Sequence, residues 1–190
     1  KPYLLKDSDT RLVSHTMHFF GIGESMLEDR LRSLMEKSLN PTVAPYAKTG
    51  EVQLRVTARV KGGEDPNALL EPVMEQIRQT VGEFLYGVDV GDLQTAVVRL
   101  LTEKERKVAV AESCTGGYLA KRITDVSGSS KVFECGVCSY SNRIKHQLLG
   151  VSEQTLAEYG AISEQTAAQM ASGVRYLSGA DIGISVTGDA

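Results

Sequence analysis

The sequence has no tryptophan, only three cysteines and three histidines, and no excess of positive charge. Three cysteines are too few, and too odd in number, for a disulfide-stabilised scaffold, which favours the reducing cytoplasm. The net charge of −3 argues against nucleic-acid binding, because proteins that bind nucleic acid normally carry a basic domain. No apolar run approaches the length of a membrane span, and no signal-peptide pattern opens the sequence. We therefore expect a cytoplasmic protein with neither nucleic-acid nor membrane partners.

The first half of the chain has the pattern of a small α+β domain. Alternating apolar and polar residues predict a strand over residues 51–60, and the predicted elements follow the order β-α-β-β-α-β, typical of a split βαβ sandwich. Ser25 and Glu28 have the spacing of a capping box at the start of the first helix. Pro72 predicts a kink or a restart in the second helix. We place this domain at residues 1–88.

The second half, residues 92–190, alternates strands with helices and predicts a layered α/β domain. Strands are predicted at residues 108–111, 132–139 and 181–186. Helices are predicted at residues 92–101, 118–123, 143–149 and 163–177, with a short helix after Ser152. With 42% hydrophobic and 24% charged residues, the chain has the composition of an ordinary globular protein.

The buried strand Val108–Ala111 leads into a polar corner, Glu112-Ser113-Cys114-Thr115-Gly116-Gly117, and then into a helix. The start of a helix presents free backbone N–H groups and the positive end of the helix dipole, so anions and developing oxyanions are stabilised there. Ser113 is the candidate nucleophile at this corner. A purely structural interpretation, in which Ser113 or Thr115 caps the helix, stays open.

Polar side chains also follow the two other predicted strands. Tyr140-Ser141-Asn142 follows the second strand, and Thr187-Gly188 follows the third. Asn142 is the predicted cap of a helix that carries Lys145 in its first turn. Because ligand sites of such sheets gather at the carboxyl ends of the strands, we expect these groups to lie near Ser113. No histidine occurs in these motifs, so a Ser–Lys pair is the natural arrangement, with burial lowering the pKa of the lysine.

The cysteines offer two alternatives. Cys114 is the rival nucleophile, because a thiol is intrinsically more reactive and this one lies close to a helix N-terminus. Cys135-Gly136-Val137-Cys138 has the spacing of redox and zinc sites. Residues three apart in a strand face opposite sides, however, and no second pair completes a metal tetrad, so we expect Cys135 and Cys138 to pack and to bind no metal.

Four ordered motifs resemble the CinA C-terminal family, the bacterial nicotinamide mononucleotide deamidases. They are Ala111-Glu112-Ser113-Cys114-Thr115-Gly116-Gly117, Tyr140-Ser141-Asn142 with Lys145, Gly160-Ala161-Ile162-Ser163, and Ala180-Asp181 leading to Thr187-Gly188. Residues 1–88 resemble the KH-type middle domain of full-length CinA, most clearly at residues 20–25 and 46–52. The resemblance covers essentially the whole chain.

The resemblance implies an α/β/α sandwich on a mixed sheet. It implies hydrolysis of nicotinamide mononucleotide to nicotinate mononucleotide and ammonia, by a homodimer that needs neither metal nor organic cofactor. On that basis we hypothesise that Ser113 attacks the amide carbon and Lys145 takes and returns the proton, while Tyr140 orients Lys145 or donates to the leaving nitrogen. Backbone N–H groups near Cys114 and Thr115 are expected to hold the oxyanion. Substrate contacts are expected from Glu112, Cys114, Thr115, Gly116, Gly117, Ser141, Asn142, Thr187 and Gly188, and the substrate phosphate is expected at Gly116, Gly117 or the Ser129-Ser130 loop.

The chain departs from the family pattern in two respects. Asp189 stands where the family usually has an apolar residue, and the family continues past the position of Ala190, so we expect an incomplete C-terminal domain. The KH-like half has no basic Gly-x-x-Gly loop between helices, which favours a structural or dimerising role over nucleic-acid binding. Two other functions stay open. One is a non-catalytic competence- or DNA-damage-related scaffold, and the other is an amidase or esterase that acts on another nucleotide-like substrate.

Overall fold

The computed structural model describes residues 9–48 and 50–189. The chain divides into two compact units between Leu93 and Gln94. Within those two described ranges, no helix is both long enough and apolar enough to cross a membrane.

The first unit packs two helices against one face of an antiparallel four-stranded sheet. Its elements are β1 (Thr10–Phe19), α1 (Glu24–Lys37), β2 (Thr42–Lys48), β3 (Glu51–Lys61), α2 (Pro66–Val81) and β4 (Leu85–Val88), and the strand order is β2-β3-β1-β4. Leu54 and Val56 of β3 face the helices and are buried together with Leu31 of α1 and Ile77 of α2. The predicted order of elements in this half is confirmed.

Two local predictions in this unit, the capping box at Ser25 and a restart of the second helix at Pro72, are wrong. α1 begins at Glu24, and its N-cap residue Gly23 makes no side-chain hydrogen bond, so the capping box of Ser25 does not form. Ser25 lies inside the first turn instead of at the N-cap position. Nor does α2 restart at Pro72, because the helix runs unbroken from Pro66 to Val81.

The second unit is a three-layer α/β/α sandwich, as predicted. Its elements are α3 (Leu93–Glu103), β5 (Val108–Glu112), α4 (Tyr118–Thr124), β6 (Phe133–Cys138), α5 (Asn142–Leu149), α6 (Glu153–Tyr159), α7 (Glu164–Ser178) and β7 (Ile182–Val186). Val108 and Val110 of β5 pack with α3 and α4 on one face. Ala109 and Ala111 pack with α5 and α7 on the other.

The sheet of the second unit has the strand order β6-β5-β7, and its three described strands are all parallel, whereas the resemblance implies a mixed sheet. The chain passes from β5 through α4 to β6 on one side, and then crosses to β7 on the other side. Strand order thus reverses at β5, and ligand crevices form at the carboxyl end of a strand at such a switch point. The polar corner that begins at Glu112 lies at that end.

Candidate active site

Ser113 lies immediately after the central strand and is held between its two neighbours. The backbone N–H of Ser113 donates to the carbonyl of Val186 in β7 (2.9 Å). The N–H of Ser139, just past β6, donates to the carbonyl of Glu112 (2.7 Å). The Ser113 residue is 7% exposed. The hydroxyl is therefore fixed at the carboxyl edge of the sheet, where the sequence predicts it.

Lys145 reaches this hydroxyl from the first turn of α5. Its Nζ lies 2.9 Å from Ser113 Oγ, 2.8 Å from the carbonyl oxygen of Ser139 and 3.3 Å from the carbonyl oxygen of Tyr140. Lys145 is 1% exposed, so these three oxygens replace the water that an exposed ammonium would bind. The structure thus brings together the two residues that the sequence pairs as base and nucleophile.

The surroundings of the Lys145 ammonium supply no carboxylate partner within residues 9–48 and 50–189. Burial lowers the pKa of this ammonium below its ordinary value of 10.5, and the nearby thiols of Cys114 and Cys138 act in the opposite direction. A lowered pKa increases the fraction of neutral amine close to neutral pH.

The three partners of Nζ also determine where the lone pair of the neutral amine points. Carbonyl oxygens only accept hydrogen bonds, so those of Ser139 and Tyr140 each engage one N–H of Lys145. A neutral amine has two N–H groups, and its third direction is a lone pair. The remaining partner, the Ser113 hydroxyl, is the one that can donate. Loss of one proton from the ammonium therefore leaves a base aimed at the Ser113 hydroxyl.

Glu112 is buried, 1% exposed, and caps α4. Its carboxylate accepts the backbone N–H groups of Gly117 (3.2 Å), Leu119 (2.9 Å) and Ala120 (2.8 Å). Burial acts to raise the pKa of this carboxyl, but the hydrogen bonds from these backbone N–H groups outweigh it, so the pKa lies below its ordinary value of 4.5. The capping group of α4 is thus a carboxylate and not a hydroxyl of the corner. Glu112 thus stabilises the corner through hydrogen bonds to backbone N–H groups, whereas a contact with the substrate is expected of it from the family resemblance.

Two backbone N–H groups of the corner remain available to a ligand. The N–H of Gly116 donates to the carbonyl of Ser113 (3.1 Å), and that of Gly117 donates to the buried carboxylate. The N–H groups of Cys114 and Thr115 donate to no acceptor in the described part of the chain. They follow Ser113 directly and fit the oxyanion role expected of them. The Gly116 and Gly117 N–H groups expected to bind phosphate are already occupied.

The Tyr140-Ser141-Asn142 motif supports Lys145 through its backbone. Tyr140 is 70% exposed, and its contact with Lys145 is made by the carbonyl oxygen, not by the phenol. Ser141, and not Asn142, is the N-cap residue of α5, since its hydroxyl accepts the N–H of Ile144 (3.3 Å). Asn142 is the first residue of α5 and is exposed.

The Thr187-Gly188 motif lies against the corner. A Cβ added at Gly188 would lie 3.5 Å from Cys114 Sγ. The Thr187 hydroxyl donates to the carbonyl of Ala161 (2.8 Å) and ties the end of β7 to the loop before α7. The motif is thus next to Ser113, but the Thr187 hydroxyl uses its proton in a hydrogen bond within the protein.

The Ser129-Ser130 loop lies at the opposite edge of the sheet. It precedes β6, close to the start of β5, where the N–H of Val108 donates to the carbonyl of Val132 (2.7 Å). The five residues of β5 separate the two edges by about 16 Å. The loop thus lies about 16 Å from the Ser113 corner, and this separation argues against the expectation that it holds the phosphate of a substrate whose carboxamide meets Ser113.

One contributor to the site carries no sequence signal. Ser139 supplies a backbone carbonyl to Lys145, and any residue type has that group. The Ser139 hydroxyl is buried, with no hydrogen-bond partner in the described residues.

The Cys135 and Cys138 side chains alternate across β6, and no cluster of three or more metal-ligating side chains occurs in the part of the chain that the structure describes.

Comparison with known families identifies both halves of the chain. The CinA C-terminal domain matches residues 91–190. The chain belongs to the CinA family. The damage-inducible protein CinA KH domain matches residues 14–87, so the two family domains correspond to the two halves of the chain.

Two relatives extend the similarity along the chain. This chain is 45% identical over 187 residues to a CinA-like protein of Kosmotoga olearia, and the match covers 98% of this chain and 45% of the relative. It is 48% identical over 187 residues to a putative competence-damage inducible protein of Caldicellulosiruptor bescii, covering 98% and 46%. The chain thus spans less than half the length of these CinA relatives. A crystal structure of a competence or damage-inducible protein from Enterobacter asburiae is 34% identical and matches with a TM-score of 0.51, over 52% of this chain and 62% of that one.

Proposed function

We propose that this chain carries the amidohydrolase site that converts nicotinamide mononucleotide to nicotinate mononucleotide and ammonia. One observation carries the proposal: Lys145 Nζ lies 2.9 Å from Ser113 Oγ, and its other two partners are carbonyl oxygens. This set of contacts orients a base toward a nucleophile. The choice of the mononucleotide as substrate rests on the family resemblance of the motifs around Ser113.

In the first step, Ser113 Oγ attacks the carboxamide carbon while the neutral amine of Lys145 takes the hydroxyl proton. The carbonyl oxygen of the substrate becomes an oxyanion next to the free N–H groups of Cys114 and Thr115. In comparable hydrolases each such donor contributes roughly 3–4 kcal/mol to transition-state stabilisation. No metal ion or organic cofactor enters this scheme.

In the second step, the Lys145 ammonium returns its proton to the substrate nitrogen, and the C–N bond breaks. Ammonia leaves, and the acyl group remains as an ester on Ser113 Oγ. Lys145, again neutral, then takes a proton from water, which attacks the ester. Proton return from Lys145 to Ser113 Oγ releases nicotinate mononucleotide and restores the starting state.

A non-catalytic scaffold is the second candidate, and the burial of Lys145 argues against it. An ammonium without a carboxylate partner is costly to bury, and an apolar side chain of similar volume would fill the same space at lower cost. A scaffold gains nothing from that cost. A catalytic base does benefit from burial, because burial lowers its pKa.

Ammonia release tests the proposal directly. The full-length protein should release ammonia from nicotinamide mononucleotide, and free nicotinamide and the dinucleotide serve as comparison substrates. Ser113→Ala should lower kcat/KM by a factor of about 10²–10⁴ or more, because the hydroxyl acts mainly in the transition state. Ser130→Ala, at the exposed opposite edge of the sheet, is the matched control and should retain activity.

The other candidates predict different results from the same assay. A scaffold releases no ammonia from any of the three compounds. An amidase or esterase of another specificity leaves the mononucleotide intact and hydrolyses a different amide or ester. Equal activity of the Ser113→Ala and Ser130→Ala proteins would remove Ser113 from the mechanism.

A further inference from the structure

Two charged side chains are buried among the described residues, and only one of them enters the mechanism above. Glu112 and Lys145 are each 1% exposed, whereas every other described aspartate, glutamate, lysine and arginine is at least partly exposed. Lys145 is the base beside Ser113. Glu112 is the residue immediately before Ser113, and its carboxylate forms no hydrogen bond with Ser113 or Lys145. Because burial of a carboxylate is costly, this second charge also calls for a role.

Three other helices of the second unit are capped in a simpler way. α5, α6 and α7 each have a serine at the N-cap position, and its hydroxyl accepts a backbone N–H. α4 has Gly117 at that position and no side-chain cap. Its first turn is bound instead by Glu112, which lies five residues before Gly117 on the preceding strand. Capping alone therefore does not account for a buried carboxylate, since a hydroxyl serves the neighbouring helices at lower cost.

Capping from the strand leaves the groups of the corner available for chemistry. Ser113 and Thr115 are the hydroxyl residues that could cap α4 from the corner itself. With the first turn bound by Glu112, the Ser113 hydroxyl lies 2.9 Å from Lys145 Nζ instead. The backbone N–H groups of Cys114 and Thr115 likewise donate to no acceptor in the described ranges.

The carboxylate also restrains the part of the corner that has the most conformational freedom. The N–H of Gly116 donates to the carbonyl of Ser113 (3.1 Å) and closes a four-residue turn with the two free N–H groups at its centre. The next N–H, that of Gly117, donates to Glu112 (3.2 Å). Gly116 and Gly117 have φ values of 58° and 100°, and glycine adopts other conformations as readily. The hydrogen bond to Glu112 thus selects one conformation among those open to these two glycines.

We propose that Glu112 is a positioning residue for the oxyanion site of the amidohydrolase proposed above, on which this inference rests. Glu112 touches no reacting atom. Its carboxylate holds the corner in the conformation that directs the N–H groups of Cys114 and Thr115 to the carbonyl oxygen of a substrate bound at Ser113. Such donors act by being fixed in place before the oxyanion forms, so an error in their position is expressed mainly in the transition state.

Removal of the acceptor in the full-length protein tests the proposal. Glu112→Ala removes both carboxylate oxygens, whereas Glu112→Gln is the conservative variant and keeps one oxygen as an acceptor for Gly117 and Leu119. Asp181→Ala is the matched control, because the Asp181 carboxylate also accepts a backbone N–H, from Lys107 (2.8 Å), but just before β5 and β7 begin, at the opposite edge of the sheet. Circular dichroism checks the fold, and Glu112→Gln carries the test if Glu112→Ala does not fold.

Two measurements separate a positioning role from a purely structural one. The first is the division of the effect on ammonia release between kcat and KM, with nicotinamide mononucleotide as substrate. The second is the affinity of phenylboronic acid, whose boron bonds to Ser113 Oγ while the hydroxyl proton passes to Lys145. The resulting tetrahedral anion imitates the transition state for attack on an acyl group, so this probe does not depend on which amide is the substrate.

We expect Glu112→Ala to lower kcat by about 10²–10³, the range for loss of one oxyanion donor, and to leave KM within about threefold of the wild-type value. The affinity for phenylboronic acid should fall together with kcat. Glu112→Gln should lie between Glu112→Ala and the wild type in both measurements. Asp181→Ala should match the wild type in both.

The possible failures of this inference differ from those of the proposed function. A wild-type kcat in Glu112→Ala, a loss confined to KM, an unchanged affinity for phenylboronic acid, or an equal loss in Asp181→Ala would overturn the positioning role while wild-type ammonia release stands. A wild-type protein that releases no ammonia, but whose affinity for phenylboronic acid falls in Glu112→Ala alone, would reject the substrate and retain the positioning role. A wild-type protein that shows neither ammonia release nor boronate binding would reject both.

Discussion

Replacement of Lys145 by methionine separates the chemistry of the site from its packing. Methionine has a similar length and no charge, so the buried volume is kept while the base is lost. A positioned general base contributes about 10²–10⁴ in rate, and we expect Lys145→Met to lower kcat/KM by at least that factor. Lys121→Met, on the exposed surface of α4, is the matched control and should retain activity.

The lowered pKa of Lys145 fixes the expected pH dependence. Activity requires the neutral amine, so kcat/KM of the wild-type protein should rise with pH through the folded-state pKa, at a pH below the ordinary value of 10.5. Stability follows the same group. Between the folded-state pKa and 10.5 the unfolded chain binds more protons, so wild-type stability rises with pH in that window.

Lys145→Met lacks this titration. Its stability relative to the wild type should therefore be highest below the folded-state pKa and should fall as pH rises toward 10.5. Urea denaturation at several pH values measures the difference, and ammonia release gives the activity profile. The reasoning is refuted if Lys145→Met keeps wild-type kcat/KM, or if its stability difference from the wild type does not change with pH.

Three further substitutions test the surroundings of this pair. Glu112→Gln should destabilise the protein by about 2 kcal/mol in urea denaturation above pH 4.5, because a charged acceptor for three N–H groups becomes neutral, and the difference should vanish as acid protonates the wild-type carboxyl. Ser139→Ala should leave thermal stability unchanged or raised and should retain activity, since it removes an unpaired hydroxyl and keeps the carbonyl that binds Lys145. Cys114→Ala should retain most of the ammonia release, and an inactive Cys114→Ala protein with an active Ser113→Ala protein would transfer the nucleophile to the thiol.

Much of the site follows from the sequence because strand ends and helix starts have local signals. The small apolar run before Ser113 predicts a buried strand, and its polar corner predicts a helix start. The polar motif Tyr140-Ser141-Asn142, with its predicted cap at Asn142, places Lys145 in the first turn of a helix. Together with the rule that parallel strands gather ligands at their carboxyl ends, these signals place Lys145 near Ser113. The family resemblance is needed to favour a Ser–Lys pair over a helix-capping serine and an exposed helix lysine.

The role of Glu112 could not be predicted in this way. A carboxylate at the end of a strand is typical of a ligand contact, and only the path of the chain shows otherwise. Gly116 and Gly117 have φ values of 58° and 100°, which turn the start of α4 back over the strand end and bring its N–H groups to the buried carboxylate. The carbonyl of Ser139 is equally invisible in the sequence, because every residue has one.

The most direct measurement is the intact mass of the protein, quenched during turnover of nicotinamide mononucleotide. The proposed mechanism predicts a covalent adduct with the mass of the mononucleotide less ammonia, located on Ser113 by peptide mapping. The adduct should be present in Cys114→Ala and absent from Ser113→Ala. An adduct that persists in Ser113→Ala, or ammonia release by Ser113→Ala at the wild-type rate, would contradict the assignment of Ser113 as the nucleophile that Lys145 activates.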